Sequence, residues 1–243
     1  MKLTACALTD VGLRRSNNED CVFADCESGL FIVADGMGGH AAGEVASAMA
    51  IETICNQFPP LAASPVDAAT CLQDAFINAS RNIRQVAISD ETKRGMGTTL
   101  SVLYIDGETA QLAHVGDSRI YRLRGTELVQ LSIDHSLVAE QLRQGIISTD
   151  EARKSQLRNI LLQAVGLEDK VDLFLLRQPL LAGDLFLLCS DGLTDMLDDK
   201  QICGFLRQEL SVELTVKQLI EAAKEEGGRD NISVVVVKIG SGN

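Results

Sequence analysis

The chain has 243 residues, 46% hydrophobic and 23% charged, a composition that excludes disordered and fibrous classes and can bury a sizeable core. Its 22 Lys and Arg against 34 Asp and Glu give a net charge of −12, which argues against a nucleic-acid backbone as partner and supplies carboxylates for a hard-cation site. No run approaches the roughly 18 consecutive apolar residues of a membrane span. The seven cysteines are odd in number, form no CxxC pair and follow no secretion signal, so a reduced, cytoplasmic chain is expected. Leu3-Thr4-Ala5-Cys6 is similar to a lipoprotein cleavage box, but no apolar stretch precedes it and it reads as the first strand.

In chain order, Leu3–Thr9, Cys21–Cys26 and Leu30–Ala34 carry strand signals between polar turns. Ala41–Phe58 is rich in small residues and suits a helix packed closely on a sheet. A second helix is expected to open at Ser64-Pro65-Val66-Asp67, with Ser64 as cap and Pro65 at the first helical position. Its stripe Leu72, Phe76, Ala79, Ile83 marks one buried face. Thr98–Ile105 and Thr109–Val115 form a hairpin through Asp106-Gly107, and Ser118–Leu123 and Glu127–Leu131 a second around Gly125. Residues 136–164 read as polar and helical. Asp172–Arg177 and Asp184–Cys189 are strands, Val216, Leu219, Ile220 and Ala223 mark an amphipathic helix, and Ile232–Ile239 is a closing β-branched strand. Blocks of antiparallel strands with helix pairs between them predict a single α+β layered domain.

Four aspartates share one setting, a strand end beside glycine: Asp35 before Gly36, Asp117 after Gly116, Asp191 before Gly192, and Asp230 after Gly227-Gly228-Arg229. A carboxylate there points into the mouth of a sheet sandwich without disturbing the ladder, and the glycine lets backbone carbonyls approach a ligand. Together they would make an oxygen-only cluster for Mg²⁺ or Mn²⁺. A single Asp-Gly is also the commonest kind of turn. Four in apolar settings, with the acidic pair Glu19-Asp20, favour the cation site.

Residues 10–20, Asp10-Val-Gly-Leu-Arg-Arg15-Ser-Asn-Asn18-Glu19-Asp20, resemble the opening motif of the metal-dependent PP2C (PPM) protein phosphatases. DGMGGH at 35–40, GMGTT at 95–99, HVGDSRIYRL at 114–123, DHS at 134–136, NILLQAVG at 159–166, LCSDGLTD at 188–195 and GGRDNISVVVV at 227–237 continue the series in order. The resemblance spans nearly the whole chain and is similar in extent to a free-standing bacterial catalytic domain. It implies a four-layer α-β-β-α sandwich of two antiparallel sheets flanked by helix pairs, over residues 1–243, with a flap at about 136–165. It also implies two Mn²⁺ or Mg²⁺ ions and a weaker third.

By motif position, the resemblance makes Asp35 the bridge between both metals, the Gly36 carbonyl a ligand of the first, and Asp191 and Asp230 ligands of the second. Glu19 and Asp20 would hold metal-bound waters, Asp117 and Asp191 the third ion. Arg15, selected over Arg14 by its spacing to Asn18 and Asp20, would grip the substrate phosphate. Thr98, Thr99 and Asn231 would organise the site from behind. His40 and His135 are each either structural or a general acid. His114 reads as a satisfied strand histidine and Cys189 as a packed strand residue, since no HCxxxxxR setting exists. Arg143, Arg153, Lys154 and Arg158 either attract acidic phosphorylated substrates or cover solvated helix faces.

The implied activity is hydrolysis of phosphoserine and phosphothreonine in proteins, by a monomer that reverses a cognate Ser/Thr kinase and acts on that kinase or on forkhead-associated-domain proteins. The alternatives are a catalytically silent phosphoprotein-binding module, a phosphatase of an anti-sigma-factor antagonist, and a metal-dependent nuclease, the last disfavoured by charge.

Overall fold

The computed structural model describes residues 1–38, 42–58, 67–168 and 171–241. Two antiparallel sheets stack face to face. One runs β1 (Lys2–Asp10), β11 (Ile232–Gly240), β10 (Leu185–Cys189), β7 (Arg119–Arg124) and β8 (Glu127–Gln130) in spatial order. The other runs β2 (Asp20–Asp25), β3 (Leu30–Met37), β5 (Leu100–Asp106), β6 (Thr109–Val115) and β9 (Phe174–Pro179), with the short β4 (Gly97–Thr98) on the far end of β3.

Strand alternation divides the apolar residues into three layers of core. In β11, Val235, Val237 and Ile239 meet Phe31, Val33 and Leu103 between the sheets. Val234 and Val236 of the same strand face the other way, onto α7 (Val212–Glu225) through Val216, Leu219 and Ala223. On the opposite flank, Leu30, Ile32, Leu100 and Val102 pack under α1 (Ala42–Gln57) and α2 (Ala68–Ser89). The small residues Ala46 and Ala50 bring α1 close to its sheet, and α2 contributes the stripe Leu72, Phe76, Ala79, Ile83, all fully buried. The result is the expected four-layer sandwich.

Local expectations are corrected in several places. The α2 cap is Asp67, whose carboxylate accepts from the backbone N of Ala69; Ser64, Pro65 and Val66 lie outside the described residues. The first hairpin pairs Asp106 with Thr109, so its two-residue loop is Gly107-Glu108, one position later than expected. The segment 136–164 is helical only in α3 (Leu137–Arg143) and α4 (Thr149–Lys154). The rest is irregular chain tied down by bridges from Ser136 to Leu161 and from Thr98 to Val165.

Two helices had no expectation at all: the single turn α5 (Asp191–Thr194) and α6 (Asp199–Leu206), which Asp198 and Gln201 start with a capping box. Each is too short to show a period, and α6 buries only Ile202 and Leu206 fully.

Candidate active site

The aspartates collect where the two sheets meet, but not all at strand ends. Asp20 opens β2 and stands directly opposite Asp35, which lies inside β3, two residues before the strand finishes at Met37. Asp191 is the first residue of α5, Asp117 lies in the β6–β7 connection, and Asp230 precedes β11. Desolvation raises the carboxyl pKa of Asp35 well above its ordinary value, with the charges of Asp20, Asp191, Asp117 and Asp230 adding to it. Asp191 is raised for the same first reason, then by Asp117, Asp195 and Asp230. Burial, helped by Asp134, pushes Asp117 up to about 7, and burial pushes Asp20 up to about 6. Four acidic groups, Asp20 buried and the other three partly so, thus lie within reach of one another's charge.

The surrounding polar side chains hold this cluster in place. The Thr99 hydroxyl accepts from Asp35 N at 2.9 Å while Thr99 N donates to Asp35 O at 2.8 Å; the Thr98 hydroxyl also donates to that carbonyl, at 2.9 Å. Gly36 fits because a Cβ there would lie 2.2 Å from the Gly43 carbonyl and 2.5 Å from that of Glu19. Asn231 stitches the opening motif together: its Oδ1 accepts from Glu19 N at 2.9 Å and its Nδ2 donates to the carbonyls of Val11 and Asn17. Arg15 Nη2 donates to Asp230 Oδ2 at 2.7 Å, and about half of the arginine side chain stays exposed. The phosphate-binding and metal-binding candidates are therefore in direct contact.

The family model described as protein phosphatase 2C matches residues 14–233. The chain belongs to the protein phosphatase 2C family. It is 37% identical over 239 residues to protein phosphatase PhpP of Streptococcus pneumoniae, covering 96% of each chain. Its fold is similar to the crystal structure of the Mycobacterium tuberculosis serine/threonine phosphatase PstP/Ppp, with a TM-score of 0.92 and 36% identity over 98% of this chain and 99% of that one. The catalytic domain of PstP in complex with two manganese ions matches with a TM-score of 0.90 and 37% identity, again over 98% and 99%.

The donor set of this 2C-type phosphatase fits a pair of hard cations: it is all oxygen, and positive charge offsets both the desolvation and the mutual repulsion of its carboxylates. Among the described residues no three His, Cys, Asp or Glu side chains converge as a ready cage for one ion. A cation of the Mg²⁺ type, which takes one or two carboxylates and keeps several waters, needs no such cage.

The remaining candidates divide. Glu19 has its pKa raised by desolvation, with Glu44 and Asp230 adding against Arg15. Both ring nitrogens of the buried His114 are satisfied, by Ser101 and by the Gly116 carbonyl, and burial lowers it to about 3. His135 is half-buried against the same glycine. His40 lies outside the described residues. Cys189 is buried in β10 and desolvation pushes its thiol up to about 12, which leaves it inert as a nucleophile.

Three contributors lacked a sequence signal of their own. Ser190, inside LCSDG, donates to Asp20 at 2.8 Å. Ser118 pairs with Thr99 at 2.8 Å. Arg119 holds Asp134 through Nε and Nη2 at the floor of a cleft of about 660 Å³ that runs from Asp117 and Asp191 beneath α3 and α4. Arg143 and Arg158 also line that cleft, paired to Glu140 and Asp195.

Proposed function

We propose that this chain hydrolyses phosphoserine and phosphothreonine monoesters in proteins at a two-cation centre. The observation that carries this reading is the carboxylate cluster of buried Asp20 and partly buried Asp35, Asp117 and Asp191, with Arg15 anchored at its rim on Asp230.

In this reading Asp35, the Gly36 carbonyl, Asp191 and Asp230 hold two Mn²⁺ or Mg²⁺ ions, Glu19 and Asp20 hold waters around them, and Asp117 with Asp191 serves a weaker third ion. Such a cation pair lowers the pKa of water and stabilises charge on the attacking and leaving oxygens of an in-line displacement. Thr98 and Thr99 fix the Asp35 peptide, so its carboxylate needs no reorganisation. Asp230 orients Arg15, whose guanidinium keeps further N–H donors in solvent and can take two phosphoryl oxygens in a planar fork. The cleft beneath α3 and α4 gives the protein part of the substrate a place beside the cluster, with residues 136–165 as its flap.

The substrates are phosphorylated proteins, and the matching activity in the cell is a Ser/Thr kinase, with forkhead-associated-domain proteins among the shared substrates. No helix among the described residues is long and apolar enough to cross a membrane, and we place the enzyme in the cytoplasm as a single-domain monomer.

The test is hydrolysis of a phosphothreonine peptide and of p-nitrophenyl phosphate across a Mn²⁺ titration, with Asp191→Ala beside the wild type. Metal-dependent turnover lost in the variant is the expected result. Folded wild-type protein without turnover at any Mn²⁺ or Mg²⁺ concentration refutes it.

A further inference from the structure

We propose that His135 is a positioning residue for Asp117, acting through the backbone of Gly116, and that it is not the general acid. This rests on the phosphatase reading above.

The contact is reciprocal. Gly116 N donates to His135 Nδ1 at 3.2 Å, and His135 N donates back to the Gly116 carbonyl at 2.7 Å. The same carbonyl meets His114 Nε2 at 3.0 Å, while His114 Nδ1 meets the Ser101 hydroxyl at 2.9 Å. The two rings lie side by side, centroids 5.3 Å apart. Partner chemistry assigns the tautomers. A carbonyl only accepts, so His114 carries its proton on Nε2. A backbone N–H only donates, so Nδ1 of His135 is bare and its proton sits on Nε2. Both backbone polar groups of Gly116 are therefore held by the histidine pair.

The other side of this turn is equally confined. Gly116 has φ +114°, and a Cβ there would lie 2.6 Å from both Cβ and Cγ2 of Thr99. Ser118 then bonds the Thr99 hydroxyl at 2.8 Å, the same hydroxyl that accepts from Asp35 N. Asp117 thus sits between two fixed points. Ser118 is tied through Thr99 to Asp35 N, and Gly116 through His114 to Ser101 of β5, the strand paired with the one that carries Asp35, so the spacing between the two carboxylates depends on His135 closing the far side.

General-acid duty conflicts with this geometry. Nδ1 is committed as an acceptor, and the remaining N–H belongs to a neutral imidazole, which gives up a proton poorly.

The test compares three substitutions. His135→Asn keeps an acceptor, Oδ1, where Nδ1 stood; His135→Gln moves its polar atoms outward; His135→Ala removes them. Mn²⁺ binding is measured by calorimetry without substrate, using Asp117→Asn to identify the binding step that depends on Asp117. Turnover is measured on the phosphothreonine peptide and on p-nitrophenyl phosphate, whose phenolate leaves without protonation.

The Gln and Ala proteins are expected to weaken the Asp117-dependent Mn²⁺ step by about 10- to 100-fold, the usual range for groups that orient a metal ligand. They should slow both substrates by the same factor, and Asn should recover most of the loss. Loss on the peptide alone with Mn²⁺ binding intact makes His135 the general acid and overturns the proposal. So does any result in which Asn and Gln behave alike. Circular dichroism identifies an Ala variant that fails to fold, in which case the Asn–Gln comparison decides. A wild type that binds Mn²⁺ but turns over neither substrate refutes the phosphatase reading instead, and the calorimetry still judges His135.

Discussion

The Ser190 hydroxyl donates to Asp20 Oδ2 at 2.8 Å and accepts from Ser233 N at 3.0 Å. This links the end of β10 in one sheet to the start of β2 in the other, beside Asp35. Removing the hydroxyl takes one of two serine donors, Ser190 and Ser233, from the buried Asp20 carboxylate and leaves the buried N–H of Ser233 without its partner. Ser190→Ala is expected to cost about 1–3 kcal/mol in urea unfolding and to weaken Mn²⁺ binding by about tenfold or more. A variant with wild-type stability and metal affinity would show the bond to be dispensable.

The carboxylate cluster gives the metal-free protein an inverted pH response. Burial pushes Asp20 up to about 6 and Asp117 up to about 7, and raises Asp35 and Asp191 well above the ordinary value, whereas the unfolded chain ionises these groups near about 4. Between those limits the folded state binds more protons at these four carboxyls than the unfolded one, which outweighs the opposite contribution of the single buried His114, lowered to about 3, so stability falls as pH rises through the window. In EDTA, Tm should be higher at about pH 5 than at about pH 8. Saturating Mg²⁺ should raise Tm most at the higher pH, because cations bind only the assembled, ionised site. A metal-free Tm that climbs from the lower pH to the higher would contradict this.

Arg15 tests the phosphate grip. Replacing it by Ala should lower kcat/KM on the phosphopeptide by about 10- to 100-fold, the range for charged hydrogen bonds. Arg15→Lys should recover little, because an ammonium cannot present the planar fork. Equal activity of the Lys variant and wild type would reduce Arg15 to a point charge.

Asn231 holds three separate backbone groups of residues 11–19. Asn231→Ala should destabilise the fold by about 2–3 kcal/mol and raise KM more than it lowers kcat, since the loop that presents Arg15 loosens while Asp35 and Asp191 stay fixed. A pure kcat loss would place Asn231 in the chemistry instead.

Much of this molecule is legible in order along the chain. The apolar strand runs Leu30–Ala34 and Ile232–Ile239, the stripe from Leu72 to Ile83 and the ordered motifs determine the layered sandwich and the family, because apolar runs, helical period and motif spacing are local properties. Asp35, Asp191, Asp117 and Arg15 are identifiable as candidates for the same reason. What the linear order does not contain is which of them touch. The Arg15–Asp230 ion pair and the Ser190–Asp20 bond join residues 215 and 170 positions apart in the chain. They exist only because two sheets pack with one register, which is set by the burial of Val235, Val237, Phe31 and Val33 between them. The single turn of α5 and the shift of the first hairpin loop to Gly107-Glu108 were likewise decided by neighbours, since a stretch of four residues or fewer has too little periodicity to outweigh what packs against it.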